Sequence, residues 1–235
     1  MKWFKEFLNF LFPSFCKLCG KPLLNTEVLV CKDCFSQLPV LKHYCKKCGN
    51  PLKIEKTRDK LNYCSYCEEK KLLFDKVLVL FEYTSPVKNW ILEFKFKENF
   101  VLAFTFGKLL GKIFKSEVET SDYIIPVPVY SEKQKQRGYN QTYLIALGID
   151  KRKLLPDFLI KTKETLPQSS LSFKERWKNL KGVFKLLSEE KVKGKKILLV
   201  DDVITTGATL NECAGVLKKA GVEKVKTLAI AKTTI

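Results

Sequence analysis

A chain of 235 residues, 46% of them hydrophobic, has room for one ordinary domain plus a small one, and a packed core is expected. Lys and Arg number 43 against 25 Asp and Glu, a net charge of +18. That surplus suits a polyanion, either nucleic acid or a phosphate-rich substrate, although scattered lysines also serve solubility. No stretch reaches the roughly 20 apolar residues of a membrane-spanning helix, so the chain reads as cytoplasmic.

The opening stretch MKWFKEFLNFLF carries Trp3, Phe4, Phe7, Leu8, Leu11 and Phe12 at helical spacing and stops at Pro13. It lacks a small-residue cleavage site, so it reads as a helix docked on the protein's own body. Eight of the nine cysteines then form four C-x-x-C units: Cys16/Cys19, Cys31/Cys34, Cys45/Cys48 and Cys64/Cys67. Two thiolates at that spacing can turn onto one tetrahedral ion, so eight predict two structural Cys₄ zinc sites. Sequential pairing puts Cys16, Cys19, Cys31 and Cys34 on one ion and Cys45, Cys48, Cys64 and Cys67 on the other. Spacing alone also admits interleaved pairing. Disulfides would need an oxidising compartment that nothing here supports. Lys46, Lys47, Lys53, Lys56, Arg58 and Lys60 could face a polyanion, and His43 reads as a surface or packing residue. The boundary is placed at Leu72, giving a helix and double ribbon over 1–72 and a second domain over 73–235.

Phe74 to Tyr83 has a strong strand pattern. Pro86 to Phe94 reads as a helix, Lys95-Phe96-Lys97 as a turn and Val101 to Phe114 as a second helix. YIIPVPV (123–129) is a strand that its prolines must end in a fixed loop. A basic stretch with Arg137 and Gly138 follows, then a helix from Asn140 to about Leu147. Phe158–Thr162 and Val183–Leu187 are strand candidates flanking an amphipathic helix with Leu171, Trp177 and Leu180. Strands alternating with helices predict an α/β fold with a mainly parallel sheet flanked by helices.

The chain's chemistry concentrates at KKILLVDDVITTGATLNECAG (195–215). Ile197–Val200 reads as a strand buried on both faces, with Asp201 and Asp202 at its carboxyl end. A small polar turn leads into a helix from Ala208 to Ala220, on which Cys213 is a buried packing residue. Helix-start amides suit a phosphate, and twin acids suit a diol or a metal, so the pair suits a ribose 5-phosphate. No Lys follows Gly207, which argues against a Walker loop, and one glycine does not make a dinucleotide fingerprint. Taken without the acids, TGAT is an ordinary helix start, with Thr209 and Glu212 as a capping box.

ILLVDDVITTGAT resembles the phosphoribosyl pyrophosphate (PRPP) motif of type I phosphoribosyltransferases. The resemblance implies that Asp201, Asp202, Val203, Thr205, Thr206, Gly207, Ala208 and Thr209 bind PRPP with Mg²⁺. It also implies a pyrophosphate loop at Val127, Pro128, Val129 and Tyr130, and a flexible lid from Gln168 and Ser169 to Arg176 and Asn179. Arg137 becomes the candidate to neutralise pyrophosphate, with a solvated basic loop as the alternative. The whole layout is similar to the ComF family. That likeness rests on LFPSFCKLCG, the four C-x-x-C units, FKFK, IIPVPVYSEKQKQRGYNQ, PQSSLSFKERWKNLKGVF and VDDVITTGAT. It implies a role in natural transformation, handling incoming single-stranded DNA on the cytoplasmic side. Partners such as a competence helicase could hold the chain near the inner face of the membrane. No general base is evident, so a catalytically idle PRPP-binding adaptor and a nucleic-acid-binding module stand beside the transferase.

Overall fold

The computed structural model describes residues 14–23, 28–52, 64, 67, 72–132, 138–166 and 172–234. The expected first helix, Arg137, Gln168, Ser169, Leu171 and the basic residues of 53–60 lie outside them.

Four parallel strands form the main sheet: β1 (Lys76–Glu82), β2 (Tyr123–Pro126), β5 (Lys196–Ile204) and β6 (Lys224–Lys232), in the order β1-β6-β5-β2. Both central strands are buried along most of their length because both of their faces are covered, and polar residues such as Lys226, Thr227 and Asp202 are buried with the apolar ones. Alternate residues sort into two cores. Val77, Val79, Ile125, Ile197, Leu199, Val225 and Ala229 pack on one side against α7 (Ala208–Lys219). Leu78, Leu80, Ile124, Leu198, Val200, Leu228 and Ile230 pack on the other, against α2 (Val87–Phe96), α3 (Phe100–Ile113) and α5 (Gln141–Asp150). A one-turn α1 (Lys32–Phe35) lies in the cysteine-bearing segment, and a short α4 (Lys115–Glu119) follows α3.

The remaining strand candidates do not join this sheet. β3 (Leu159–Lys161) and β4 (Phe184–Leu186) pair antiparallel with each other, with α6 (Phe173–Asn179) between them in sequence. Each offers only three residues, and Phe158, Leu159, Val183 and Phe184 are spent on the α7-side core.

Two helix limits differ from the sequence expectation. Lys95 and Phe96 continue α2 and do not form a turn. The helix from Gln141 runs through Gly148 to Asp150, because this glycine serves packing and not termination. A Cβ on Gly148 would lie 2.3 Å from the Phe104 carbonyl oxygen, and one on Gly107 would lie 2.1 Å from that of Ile145. Bare Cα atoms let α3 and α5 touch backbone to backbone.

The cysteine-bearing segment wraps the open edge of β1. The Leu41 N–H donates to the Leu80 carbonyl at 2.9 Å, the Glu82 N–H to the Pro39 carbonyl at 2.8 Å, and the Val77 N–H to the Lys46 carbonyl at 2.8 Å. An edge that would otherwise invite pairing with another chain is closed in this way. The first cysteine group, Cys16, Cys31 and Cys34, joins the core on the α2–α3 side. Cys45 and Cys48 join the core on the α7 side. The two groups therefore sit on opposite faces of one sheet.

Candidate functional site

The site begins where β2 stops. Pro126 is the last residue of β2 and pairs with Val200, after which β5 runs on to Ile204 with β6 alone beside it. Asp201 and Asp202 thus lie inside the strand, at the point where it loses one neighbour, and not beyond its end. The chain after β2 swings away as Val127–Tyr130, and a cavity of about 790 Å³ opens between the two. That is a size suited to a small phosphorylated ligand, in the crevice at the carboxyl ends of a parallel sheet.

The two acids are not equivalent. Asp202 is buried, and both of its oxygens are engaged: Lys95 Nζ lies 2.9 Å from Oδ1, and Gln141 Nε2 donates to Oδ2 at 3.1 Å. Asp201 is half-buried and accepts the Asp202 N–H at 2.8 Å. Burial, and then the neighbouring Asp202 charge, push the Asp201 carboxyl up to about 7.

The turn after β5 brings Gly207 to φ 80° as the N-cap of α7. A Cβ there would meet nothing closer than 3.8 Å, so the left-handed backbone, and not crowding, selects glycine. Thr206 Oγ accepts the Ala208 N–H at 3.3 Å. Thr209 does not cap the helix, and Glu212 instead accepts from the Gly182 N–H at 3.4 Å. Val203, Thr205, Gly207 and Thr209 line the cavity, whereas Thr206 and Ala208 are buried behind them. The loop therefore presents small residues at the positive end of a twelve-residue helix.

Across the cavity, Val127, Pro128, Val129 and Tyr130 form the opposing wall. Their start is held from α5. Thr142 Oγ donates to the Val127 carbonyl at 2.5 Å, and Asn140 caps the helix by accepting the Thr142 N–H at 3.0 Å. Arg176 reaches the cavity from α6. Asn179 does not line it: its side chain accepts from the Leu166 N–H at 3.3 Å and donates to the Leu166 carbonyl at 3.1 Å, pinning its own loop.

Lys95, Gln141 and Thr142 were not among the residues expected from sequence. Lys95 and Gln141 sit in segments that carried the family resemblance, FKFK and RGYNQ, and Thr142 directly follows the second, but their inward direction follows only from helix phase. Lys95 is one turn beyond the buried Ile91, on the same face of α2. Lys95→Met is expected to destabilise the protein by about 2–4 kcal/mol at pH 7, since it strands a buried carboxylate. Urea unfolding measures this, and Asp202→Asn in the same background should restore most of the loss.

The cysteines group sequentially. In each of the quartets Cys16/Cys19/Cys31/Cys34 and Cys45/Cys48/Cys64/Cys67, all sulfurs lie within 4.8 Å of one another. The separations are 3.8 Å for Cys19–Cys31, 3.6 Å for Cys45–Cys67, 3.4 Å for Cys48–Cys64 and 3.9 Å for Cys64–Cys67. A tetrahedron with Zn–S of about 2.3 Å has an edge of about 3.8 Å, so both quartets fit zinc. The first and third units share one knuckle: Gly20 N–H donates to the Cys16 carbonyl at 2.9 Å, as Gly49 N–H does to that of Cys45 at 2.8 Å. Neither quartet includes His43, which is exposed. Lys46 lies 4.0 Å from the centre of the Tyr44 ring, and Lys47 donates to the Phe74 carbonyl, so both are engaged by the body of the protein. Cys213 is fully buried.

Comparison with known proteins agrees with both halves of this description. The family described as double zinc ribbon domain matches residues 7–68, and that described as phosphoribosyl transferase domain matches residues 151–233. Competence protein F of Haemophilus influenzae is 32% identical over 97% of this chain and 99% of its own. DNA utilization protein YhgH of Escherichia coli K12 is 28% identical over 94% and 98%, and competence protein ComFC of Bacillus subtilis 26% over 91% and 86%. With two zinc-fitting quartets clasped to a phosphoribosyltransferase-type sheet, and likeness to competence protein F over almost its full length, the chain belongs to the ComF family.

Proposed function

We propose that the cavity binds PRPP and that the protein acts in DNA uptake. One observation carries the first part: the acid-to-amide run of β5 and the Val127–Tyr130 loop face each other across a single cavity. In this reading Asp201 and Asp202 take the ribose hydroxyls and the amides of Thr205–Thr209 take the 5-phosphate. Pyrophosphate lies along Val127–Tyr130, with Arg176 and Arg137 adding positive charge. Residues 168–179 act as a lid that excludes water. Mg²⁺ would neutralise the pyrophosphate and would come in with it: the described residues offer no metal-ligating cluster besides the two quartets. Two zinc ions, one in each quartet, are structural in this reading, because four thiolates leave no open position. Residues 1–72 then form the metal-held part and residues 73–235 the ligand-binding part.

The names of the relatives, two competence proteins and a DNA utilization protein, support the second part. The net charge of +18 suits an incoming single strand handled on the cytoplasmic side with uptake machinery such as a competence helicase. No described helix is long and apolar enough to cross a membrane, so attachment to the inner face would run through such partners. A second reading is a module that holds PRPP or a 5′-phosphorylated nucleotide without transferring anything. It is favoured by Lys95, whose ion pair at 2.9 Å occupies one oxygen of Asp202.

The test is a titration with PRPP, with and without Mg²⁺, followed by thermal unfolding. At 100 times Kd the expected stabilisation is about 2.7 kcal/mol. Pyrophosphate release with candidate acceptors separates transferase from idle binder. No PRPP protection under either condition contradicts both readings of the cavity as a PRPP site.

A further inference from the structure

Lys232 is the last residue of β6 and is only 1% exposed. Its Nζ donates to the Thr205 carbonyl at 2.7 Å and to the Thr233 carbonyl. No carboxylate forms an ion pair with it among the described residues. A buried cation without a counter-charge costs several kcal/mol, so something else must compensate it. Burial is the largest effect on the Lys232 ammonium and lowers its pKa to about 8, and the sulfurs of Cys48 and Cys64, two members of the second quartet, act against that lowering. A zinc ion in four thiolates carries two net negative charges. The lysine stem runs beside the knuckle of that quartet, where a Cβ built on Gly49 would meet its Cδ at 3.6 Å. From there its Nζ reaches and holds a carbonyl in the loop that follows β5.

That carbonyl matters because a trans peptide sets its C=O and N–H on opposite sides. Fixing the Thr205 C=O also fixes the direction of the Thr206 N–H, at the start of the proposed phosphate cradle. The first quartet has no such route, as it packs on the other face of the sheet.

We propose that Lys232 is a positioning residue that ties the phosphate loop to the second cysteine quartet, so that metal there sets the affinity of the cavity for a phosphorylated ligand. This rests on the reading of the cavity as a PRPP site.

The experiment uses the full chain loaded with zinc. PRPP affinity is measured by titration calorimetry and zinc content by elemental analysis for Lys232→Met and Lys232→Arg. Lys232→Met is expected to weaken PRPP binding about tenfold with both zinc ions retained, and Lys232→Arg to recover most of it. Cys67→Ser, which opens the second quartet, should cause a similar loss and add little in the Lys232→Met background. Wild-type affinity in Lys232→Met overturns the proposal, as do independent, additive losses. If Lys232→Met does not fold, or if the wild type binds no PRPP, amide hydrogen exchange still decides. Removing zinc from the wild type should speed exchange at residues 204–209 while residues 197–200 stay protected, and unchanged exchange at 204–209 refutes the link. Absence of PRPP binding by the wild type defeats the functional reading alone.

Discussion

Asp201→Asn together with Asp202→Asn is expected to abolish the thermal protection given by PRPP while zinc content stays at two per chain. The quartets share no residue with the acid pair, so a loss confined to ligand binding separates the two sites. An amide in place of each carboxylate removes the charge-assisted acceptors that hold vicinal hydroxyls. It also takes the partner of Lys95 from its 2.9 Å contact. Unaltered PRPP protection in the double variant refutes the assignment of the pair. The single change Asp201→Asn has a second signature. The folded carboxyl ionises near 7 and an unfolded one near 3.8, so the native state binds the extra proton. Its contribution to stability is full below about 3.8, is lost as pH rises, and is gone above about 7. Asp201→Asn should therefore unfold at a higher temperature than wild type at pH 8, with the difference vanishing near pH 4. Water reaches this half-buried group and damps the effect, so the gain is set at about 1–2 kcal/mol, roughly 2–8 °C. A change that loses ligand and gains stability is what a carboxylate retained for binding predicts.

Removing zinc is expected to have the larger effect on the fold. Closed thiolate sites contribute apparent binding free energies of about 10–16 kcal/mol in small zinc-finger peptides, and here each quartet supplies part of a core. Chelation under reducing conditions should expose residues 14–52 to hydrogen exchange first, together with the edge of β1 that they cover. Apart from the loop at residues 204–209, the β5–α7–β6 unit, held by the parallel register from Lys196 to Lys232, should open last. Elemental analysis should find two zinc ions per chain, and one or none contradicts the reading. Uniform loss of protection across β1, β5 and β6 would show instead that the metals hold the whole sheet together.

Much of this site was legible in the residues because its parts are local. Ile197–Val200, two acids, a small turn and an apolar-periodic helix are contiguous, so strand, loop and helix follow from one stretch of sequence. The cysteines were legible for the same reason, although their grouping needed coordinates. What sequence could not give was direction across distance. Lys95 looked like part of a turn because KFK is charged, yet the Phe94 ring packed in the core keeps the helix going and points the lysine inward. The helix from Asn140 was expected to end near Leu147, because nothing local reveals that another helix lies against the Cα of Gly148. β3 and β4 had strand composition but only three residues each to pair, and composition does not say which sheet a strand joins. Placement of the two quartets on opposite faces depends on how the chain crosses the edge of β1, which no spacing between cysteines encodes.

The clasp around β1 also bears on how the protein is made. The cysteines leave the ribosome before β1 does, and β1 meets its neighbour in the described four-stranded sheet when β6 emerges, some 150 residues later, as the Asp75–Val225 contact measures. Throughout that interval the thiolates have no finished surface to rest on. Metal supply during translation, and not only in the mature protein, is therefore expected to set how many nascent chains reach the folded state.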